Sequence, residues 1–391
     1  MRRIGVFLDD FDPVRLDHLN LAYAARQSHD LEKVIFVPLP QMEKRENSRV
    51  YARIDQRYRM CTIGLVSAQG LEMVPYDLVY QAESPFVLIR RIRRAYSDAK
   101  CFFILSSATL LRLSALKQFQ SVGDCAFLYY HGKTFSGFDM LEPLLRSGLD
   151  AVELTEAGPR PTSGRECRGQ IARLIDPPGL DRKVTAYLAQ ENLYLPDGRK
   201  KLQKMLNEHR WQHSLGVQAT AIRLALQYQG NILKVSQAAL YHDCAKCLSA
   251  RDMRHIAEAH HLTDNEEVLR SGALLHGPVG AQVAKDTFGI KDPEVLDAIR
   301  YHTTGRADMT LTDLIIFVAD AIEPNREPYE GLEKMRQAAR YSLKAAALES
   351  LFATRKYVTS KGKTFHGQGQ TTIAWLEGSL SKEEMELIQQ F

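Results

Sequence analysis

The stretch Ala238-Ala239-Leu240-Tyr241-His242-Asp243-Cys244-Ala245-Lys246 places an adjacent histidine and aspartate directly after an apolar run. Burying a carboxylate beside an imidazole is costly unless both groups are paired or bind a metal ion. We therefore predict that His242 and Asp243 are metal ligands. On a helix these two neighbours lie about 100° apart, so both can approach one centre, with Lys246 one turn away.

Further candidate ligands stand on both sides of this pair, in or beside segments with helical patterning. Imidazoles and carboxylates together suit transition metals better than the all-oxygen shell that Ca²⁺ prefers. Six ligands would saturate a single ion, whereas two ions sharing Asp243 would each keep a position for solvent or substrate. We therefore predict a site for two divalent ions, with iron expected and manganese, zinc or cobalt as alternatives. The other predicted ligands are His213, His276, His302 and Asp320.

The order of these residues resembles the H…HD…D signature of the HD superfamily of metal-dependent phosphohydrolases. The wider pattern is H-S…L-x-H-D-x-x-K…L-L-H-G…H-T-T-G…A-D-x-I-E-P-x-R, read here from His213 to Arg326. It is similar to the branch of symmetrical diadenosine tetraphosphate hydrolases, and the match covers roughly residues 198 to 391. The resemblance implies metal-dependent cleavage of a dinucleoside polyphosphate, diadenosine tetraphosphate, into two ADP molecules.

The same resemblance implies roles for residues around the metal ions. Asp243 and Lys246 are the implied catalytic residues, and the lysine is expected to face phosphate. Cationic side chains, hydroxyl groups and backbone donors nearby would contact the nucleotide. The candidate substrate contacts are Arg210, Thr303, Thr304, Gly305, Arg306 and Arg326.

Length and composition predict a two-domain, soluble, cytoplasmic protein. A chain of 391 residues exceeds what one hydrophobic core usually organises. The turn Leu195-Pro196-Asp197-Gly198 is the predicted boundary between domains 1–195 and 196–391, and the second reads as all-α. No apolar run approaches the ~18 residues that span a bilayer, and six dispersed cysteines suit reduced thiols. The net charge of +4 is too small to indicate a nucleic-acid partner.

Short runs rich in β-branched and aromatic residues alternate with helical patterns in the first domain. The runs are residues 4–8, 34–37, 101–105 and 125–130. Such alternation predicts a doubly wound α/β fold with a parallel sheet. Ligands of these folds bind beyond the carboxyl ends of the strands, so the turn after the first strand is the expected nucleotide site.

That turn contains Phe11-Asp12-Pro13 followed by His18-Leu19, and it resembles the start of nicotinate-mononucleotide adenylyltransferases, G-G-[ST]-F-D-P-x-H-x-G-H-L. The resemblance implies that His18, Ser163 and Arg168 contact nucleotide. Aspartates replace residues of the pattern, however, and Arg15 stands where the first histidine would be. Carboxylates repel phosphate, so we predict that the nucleotidyltransferase-like, Rossmann-like fold persists while its catalysis is impaired.

Other functions remain open from the sequence alone. The HD region suits a nucleotidase or phosphodiesterase of another specificity, and the chain suits a bifunctional enzyme that still adenylylates nicotinate mononucleotide. A third alternative is a nucleotide-sensing scaffold in which metal only holds helices together. The sequence also leaves open whether the protein forms an oligomer.

Overall fold

The computed structural model describes residues 1–40, 52–80, 82–122, 124–133, 135–155, 163–195 and 198–390. The chain divides into two compact units. The first comprises Met1–Arg173 with Pro177–Tyr187, and the second comprises Leu174–Asp176 with Leu188–Phe391. The predicted boundary at 195 and 196 stays a prediction, because residues 196 and 197 of that turn lie outside the described residues.

Among its described residues, the first unit contains six parallel strands in the order β3-β2-β1-β4-β5-β6. This arrangement confirms the predicted doubly wound α/β fold. The chain order reverses beside β1, which is where such sheets open a crevice at the carboxyl ends of their strands. The strands are β1 (Arg2–Asp9), β2 (Lys33–Pro38), β3 (Leu71–Met73), β4 (Ala99–Ser106), β5 (Ala126–Tyr130) and β6 (Ala151–Glu153).

Helices connect the strands, as parallel pairing requires. Strand β1 is buried along most of its length because both faces of a sheet of this kind are covered. That burial explains why the strands read in the sequence as apolar runs rather than as alternating patterns. The helices of this region are α1 (Leu16–Ser28), α2 (Ile54–Gly64), α3 (Tyr76–Val79), α4 (Pro85–Ala95), α5 (Ser107–Ser114), α6 (Phe138–Arg146), α7 (Gly164–Ile171) and α8 (Arg182–Gln190).

Every regular secondary-structure element that the structure describes in the second unit is a helix, which confirms the all-α prediction. None of the described helices is both long and apolar enough to span a lipid bilayer. The helices are α9 (Arg199–Met205), α10 (Glu208–Gln227), α11 (Ile232–Tyr241), α12 (Ala250–Ala259), α13 (Glu266–Arg270), α14 (Gly272–Phe288), α15 (Pro293–Tyr301), α16 (Leu311–Ile322), α17 (Leu332–Ala338), α18 (Leu343–Ser360), α19 (Gly367–Ser379) and α20 (Lys382–Gln390).

Local sequence signals fix where the central helices begin. The Asn207 side chain accepts a hydrogen bond from the Arg210 amide at 2.8 Å and so caps α10. Thr310 and Asp313 form a reciprocal capping box at the start of α16. A Cβ at Gly277 would lie 2.5 Å from the Arg300 carbonyl oxygen, so glycine at this position lets α14 approach α15 closely.

Candidate metal centre

The structure brings the six predicted ligands together in the middle of the second unit. His213 lies on α10, His276 on α14 and Asp320 on α16. The His242-Asp243 pair was expected within a helix, but α11 ends at Tyr241 and His242 is its C-cap. The His242 imidazole competes with the backbone hydrogen bonds of the helix, because its Nδ1 donates to the Ala239 carbonyl at 2.7 Å.

His302 repeats this arrangement at the end of α15. It is the C-cap residue, and its Nδ1 donates to the Ile299 carbonyl oxygen at 2.7 Å. Both imidazoles thus bond a backbone carbonyl three residues earlier, which fixes each ring and directs its Nε2 away from its own helix.

Asp243 stands between two pairs of imidazoles. Its Oδ2 lies 3.5 Å from His242 Nε2 and 3.7 Å from His213 Nε2. Its Oδ1 lies 3.4 Å from His276 Nε2 and 3.7 Å from His302 Nε2. The two oxygens of one carboxylate therefore face two separate donor groups.

Asp320 adds a second carboxylate to one of these groups only. Its Oδ1 lies 3.1 Å from His213 Nε2 and 3.9 Å from His242 Nε2. His213, His242 and Asp320 each offer one ligand atom within 4.8 Å of the others, and so do His242, Asp243 and His302. Two carboxylates, Asp243 and Asp320, thus lie near His213 and His242. Near His276 and His302, the described ion pairs include Asp243 alone.

Within each pair, the two Nε2 atoms lie so close together that a cation between them would be stabilising. His213 Nε2 lies 3.3 Å from His242 Nε2, and His276 Nε2 lies 3.0 Å from His302 Nε2. The Nδ1 atoms of His242 and His302 carry the ring protons that they donate to backbone carbonyls, so their Nε2 atoms present lone pairs. Facing lone pairs are stabilised by a shared proton or a metal ion. The donor chemistry therefore fits divalent transition metals.

The pKa values of the imidazoles diverge within each pair. Burial lowers the pKa of His242 to about 4, and burial together with the His302 imidazole lowers that of His276 to about 3. Burial acts the same way on His213 and His302, but hydrogen bonds and charges of the carboxylates outweigh it and raise the pKa of both. Within each pair, the ring with the raised pKa therefore takes up a second ring proton more readily than its neighbour does.

Both ligand carboxylates remain ionised at neutral pH. Burial alone would raise the pKa of Asp243, but the imidazoles around it, His242 first, hold it well below its usual range. Asp320 behaves in the same way, since its hydrogen bond with His213 outweighs burial. These groups are therefore available as anionic ligands.

A cavity of about 300 Å³ opens beside the six side chains. Arg210 Nη1 donates to Asp243 Oδ2 at 2.6 Å, and Arg326 Nη2 donates to Asp320 Oδ1 at 2.5 Å. Burial lowers the pKa of Lys246. The cavity therefore presents three cationic side chains next to the carboxylates. Its lining residues are Arg210, Asp243, Lys246, Ala273, His276, Thr303, Asp320 and Arg326.

The predicted substrate loop is only partly directed toward this cavity. The Thr303 hydroxyl lies 3.2 Å from both His276 Nε2 and His302 Nε2. Thr304 and Gly305 do not line the cavity. The Thr304 carbonyl instead accepts a hydrogen bond from the Thr372 hydroxyl at 3.0 Å. This bond attaches the loop to α19.

Arg306, predicted as a substrate contact, is directed elsewhere. Its Nη2 donates to Asp313 Oδ2 at 2.7 Å and its Nη1 to Asp297 Oδ2 at 3.1 Å. Its guanidinium also lies 4.9 Å from the centre of the Tyr301 ring. Arg306 is not among the residues that line the cavity, because Asp313, which is 2% exposed, holds its charge.

In the first unit, the predicted nucleotide contacts are bound by protein groups. His18 is 1% exposed, and its Nε2 lies 2.8 Å from Arg15 Nη2. Arg168 donates through Nη1 to the backbone oxygen and the carboxylate of Asp12, at 2.5 and 2.9 Å. The Ser163 hydroxyl accepts from the Glu166 amide at 3.1 Å and caps α7. Each predicted contact thus has a structural partner within this unit.

Glu323, for which the sequence predicted no role, lies beside His213 of the candidate metal centre. It is 1% exposed, its Oε1 lies 3.1 Å from His213 Nδ1, and its Oε2 accepts from the Asn325 amide at 2.7 Å. The available signal was a carboxylate that closes an apolar helix directly before a proline, where an unpaired acid is not tolerated.

Comparison with known proteins identifies the second unit. Residues 210–325 match the HD domain family. Over 161 residues the chain is 41% identical to the symmetrical bis(5'-nucleosyl)-tetraphosphatase of Halalkalibacterium halodurans, covering 41% of this chain and 85% of that protein. The solved structure of a predicted HD superfamily hydrolase from Clostridium acetobutylicum is 40% identical, covers 46% of this chain and 96% of its own, and gives a TM-score of 0.45.

A further relative extends over nearly the whole chain. It is the probable nicotinate-nucleotide adenylyltransferase/Ap4A hydrolase of Mycoplasma genitalium, 26% identical over 363 residues, covering 91% of this chain and 98% of that protein. The predicted resemblance of the first unit to nicotinate-nucleotide adenylyltransferases is thereby confirmed. Through its second unit, the chain belongs to the HD-domain family that contains the symmetrical bis(5'-nucleosyl)-tetraphosphatases.

Proposed function

We propose that the second unit is a metal-dependent phosphohydrolase that cleaves diadenosine tetraphosphate symmetrically into two ADP molecules. The observation that carries this proposal is the position of Asp243, whose two oxygens face two imidazole pairs at the wall of a cationic cavity. The tetraphosphatase relative, 41% identical, supports the choice of substrate. A cytoplasmic location belongs to the same proposal.

His213, His242, Asp320 and Asp243 would hold one ion, and His276 and His302, together with Asp243, would hold a second. Bound ions of this kind lower the pKa of water toward neutrality and neutralise phosphate oxygens. Iron is the proposed native metal, although donors of this type also accept manganese, zinc and cobalt. Asp243, as the shared ligand, is the residue on which both ions depend.

The cationic side chains of the cavity would bind the polyphosphate. Arg210 and Arg326 pair with ligand carboxylates in the structure, so they become available to phosphate oxygens once those carboxylates bind ions. Arginine binds phosphate through two parallel hydrogen bonds, which orients as well as attracts it. Lys246 adds a third positive charge at the same wall. Together these residues suit a chain of several phosphates.

The test compares the intact protein with Asp243→Ala after reconstitution with metal, and resolves the products of diadenosine tetraphosphate by chromatography. We expect two ADP per substrate from the intact protein and a loss of turnover of at least about 10³-fold in the variant, because both ions lose their shared ligand. Asp286→Ala, which removes an acid that bonds only Gln282 among the described contacts, is the matched control. Release of AMP and ATP would contradict symmetrical cleavage, and an active Asp243→Ala protein would refute the site.

The rival functions predict different results in the same assay. An HD nucleotidase or phosphodiesterase of other specificity would leave this substrate intact and cleave another member of a nucleotide panel. A scaffold would gain thermal stability with metal and show no turnover. Adenylylation of nicotinate mononucleotide is disfavoured, because His18 is paired with Arg15, and Arg168 with Asp12. Incubation with ATP and nicotinate mononucleotide tests it directly.

A further inference from the structure

The four imidazoles of the metal centre are supported in two different ways. Three of them direct Nδ1 to backbone carbonyls, at 2.7 Å for His242, 2.7 Å for His302 and 3.3 Å for His276. His213 instead directs Nδ1 to a carboxylate, Glu323 Oε1, at 3.1 Å. A carboxylate partner holds the ring proton on Nδ1 more strongly than a neutral carbonyl does, and makes the opposite nitrogen a better ligand.

The surroundings hold this carboxylate in place. Glu323 is 1% exposed, and its second oxygen accepts the Asn325 amide at 2.7 Å. A Cβ at Gly216 would lie 2.5 Å from that same oxygen, so any larger residue there must displace the carboxylate. Gly216 lies inside α10, where glycine is destabilising relative to alanine. The helix thus carries a residue of poor propensity at the one place where Glu323 needs room.

We propose that Glu323 is a positioning residue for metal binding, and that Gly216 provides the space it occupies. By favouring the Nδ1–H tautomer of His213, Glu323 would leave the Nε2 lone pair available to an ion held together with Asp320 and His242. Its negative charge would strengthen binding of the ion held by His213 and would not affect binding of the ion held by His276 and His302. This inference rests on the proposed two-ion site, and it predicts that the two ions bind with unequal dependence on Glu323.

The experiment titrates metal-free, full-length protein with Zn²⁺ against a chromophoric chelator, which measures affinity and stoichiometry without any substrate. We expect Glu323→Ala to lower the affinity for one of the two ions by about 10–100-fold and to change the affinity for the other by less than about threefold. Glu323→Gln, whose amide oxygen still accepts the Nδ1–H bond, should lose less. Gly216→Ala should weaken binding of the same ion, because its Cβ would displace the Glu323 carboxylate.

Gly378→Ala is the matched control, since a Cβ at this helical position of α19 meets no atom within 4 Å. It should leave both Zn²⁺ affinities unchanged. Wild-type affinities in both Glu323→Ala and Gly216→Ala would overturn the proposal. So would an equal loss for both ions that follows a general fall in metal-free stability. Because no substrate enters the titration, failure of the proposed hydrolysis leaves this result interpretable, and the two failures are distinguishable.

Discussion

Metal binding should compete with protons, and the structure indicates how many. The pKa values of His213 and His302 are raised above their ordinary 6.5, so both rings are mostly protonated at pH 6. His242 and His276, at about 4 and about 3, are neutral there. An ion that enters either imidazole pair must therefore displace one proton. Affinity for each ion should fall about tenfold for every pH unit below 6.5, or about 1.4 kcal/mol.

Isothermal titration of the metal-free protein with Zn²⁺ at pH 6, in two buffers of different ionisation enthalpy, measures this release. We expect about one proton per ion and about two for the filled site. At this pH the water bound to such ions is still below its own ionisation range, so it adds little. Asp243 and Asp320 contribute none, because their lowered pKa values keep them ionised.

The variant His302→Gln removes one of the two proton carriers and should reduce the release by about one proton. The reduction should be confined to one ion, since His213 and its carboxylates are untouched. Titrations that release no proton at pH 6, or an affinity that is constant between pH 5.5 and 6.5, would refute the assignment of one proton to each imidazole pair.

Three further predictions concern residues around and outside the metal centre. Lys246→Met should lower kcat/KM by about 10–100-fold, mainly through KM, because a charged hydrogen bond to phosphate is lost, and an unchanged KM in steady-state assays would contradict this. Arg306→Ala should leave KM unchanged but cost about 1–3 kcal/mol in urea unfolding, because Asp313 stays buried without its partner. Burial and then the Arg15 charge hold the pKa of His18 well below 6.5, so below pH 6.5 the unfolded ring takes up a proton that the folded ring does not. Stability should therefore fall as pH drops from 6.5 to 5, by up to about 1.4 kcal/mol per unit, and His18→Gln should make the dependence shallower in urea titrations.

The sheet and the metal centre could be predicted because their signals are local. A strand covered on both faces needs a continuous apolar run, and the run at residues 4–8 is the buried part of β1. A charged pair after an apolar run, as at His242 and Asp243, has few stable alternatives to ligation. In both cases, burial dictates residue type at the position itself, so no knowledge of distant partners is required.

The remaining features depend on partners far away in the sequence. Glu323 lies 110 residues beyond His213, and no local pattern states which imidazole it supports. Arg306 was predicted to contact substrate from its position in the motif, whereas its bond to Asp313, a residue of a helix capping box, could not be predicted from the local sequence. The end of α11 was missed for a different reason. The His242 side chain bonds the backbone at Ala239, and helix periodicity does not reveal this competition.

Arginine–carboxylate pairs of the two units differ in their exposure to solvent, and this difference affects which pairs can exchange a carboxylate for a phosphate. In the first, Arg168 and Asp12 have side chains only 11% and 1% exposed, so exchanging the carboxylate for a phosphate would require opening the fold. In the second, Arg210 is 30% and Arg326 is 37% exposed, and both face a cavity while holding carboxylates that the proposed ions would neutralise. A buried pair resists exchange because separating it leaves charges shielded from water, whereas a pair at a cavity wall can exchange partners in contact with solvent. We therefore expect phosphate to bind in the cavity of the second unit rather than at Arg168, whose bonds to Asp12 lie within the first unit.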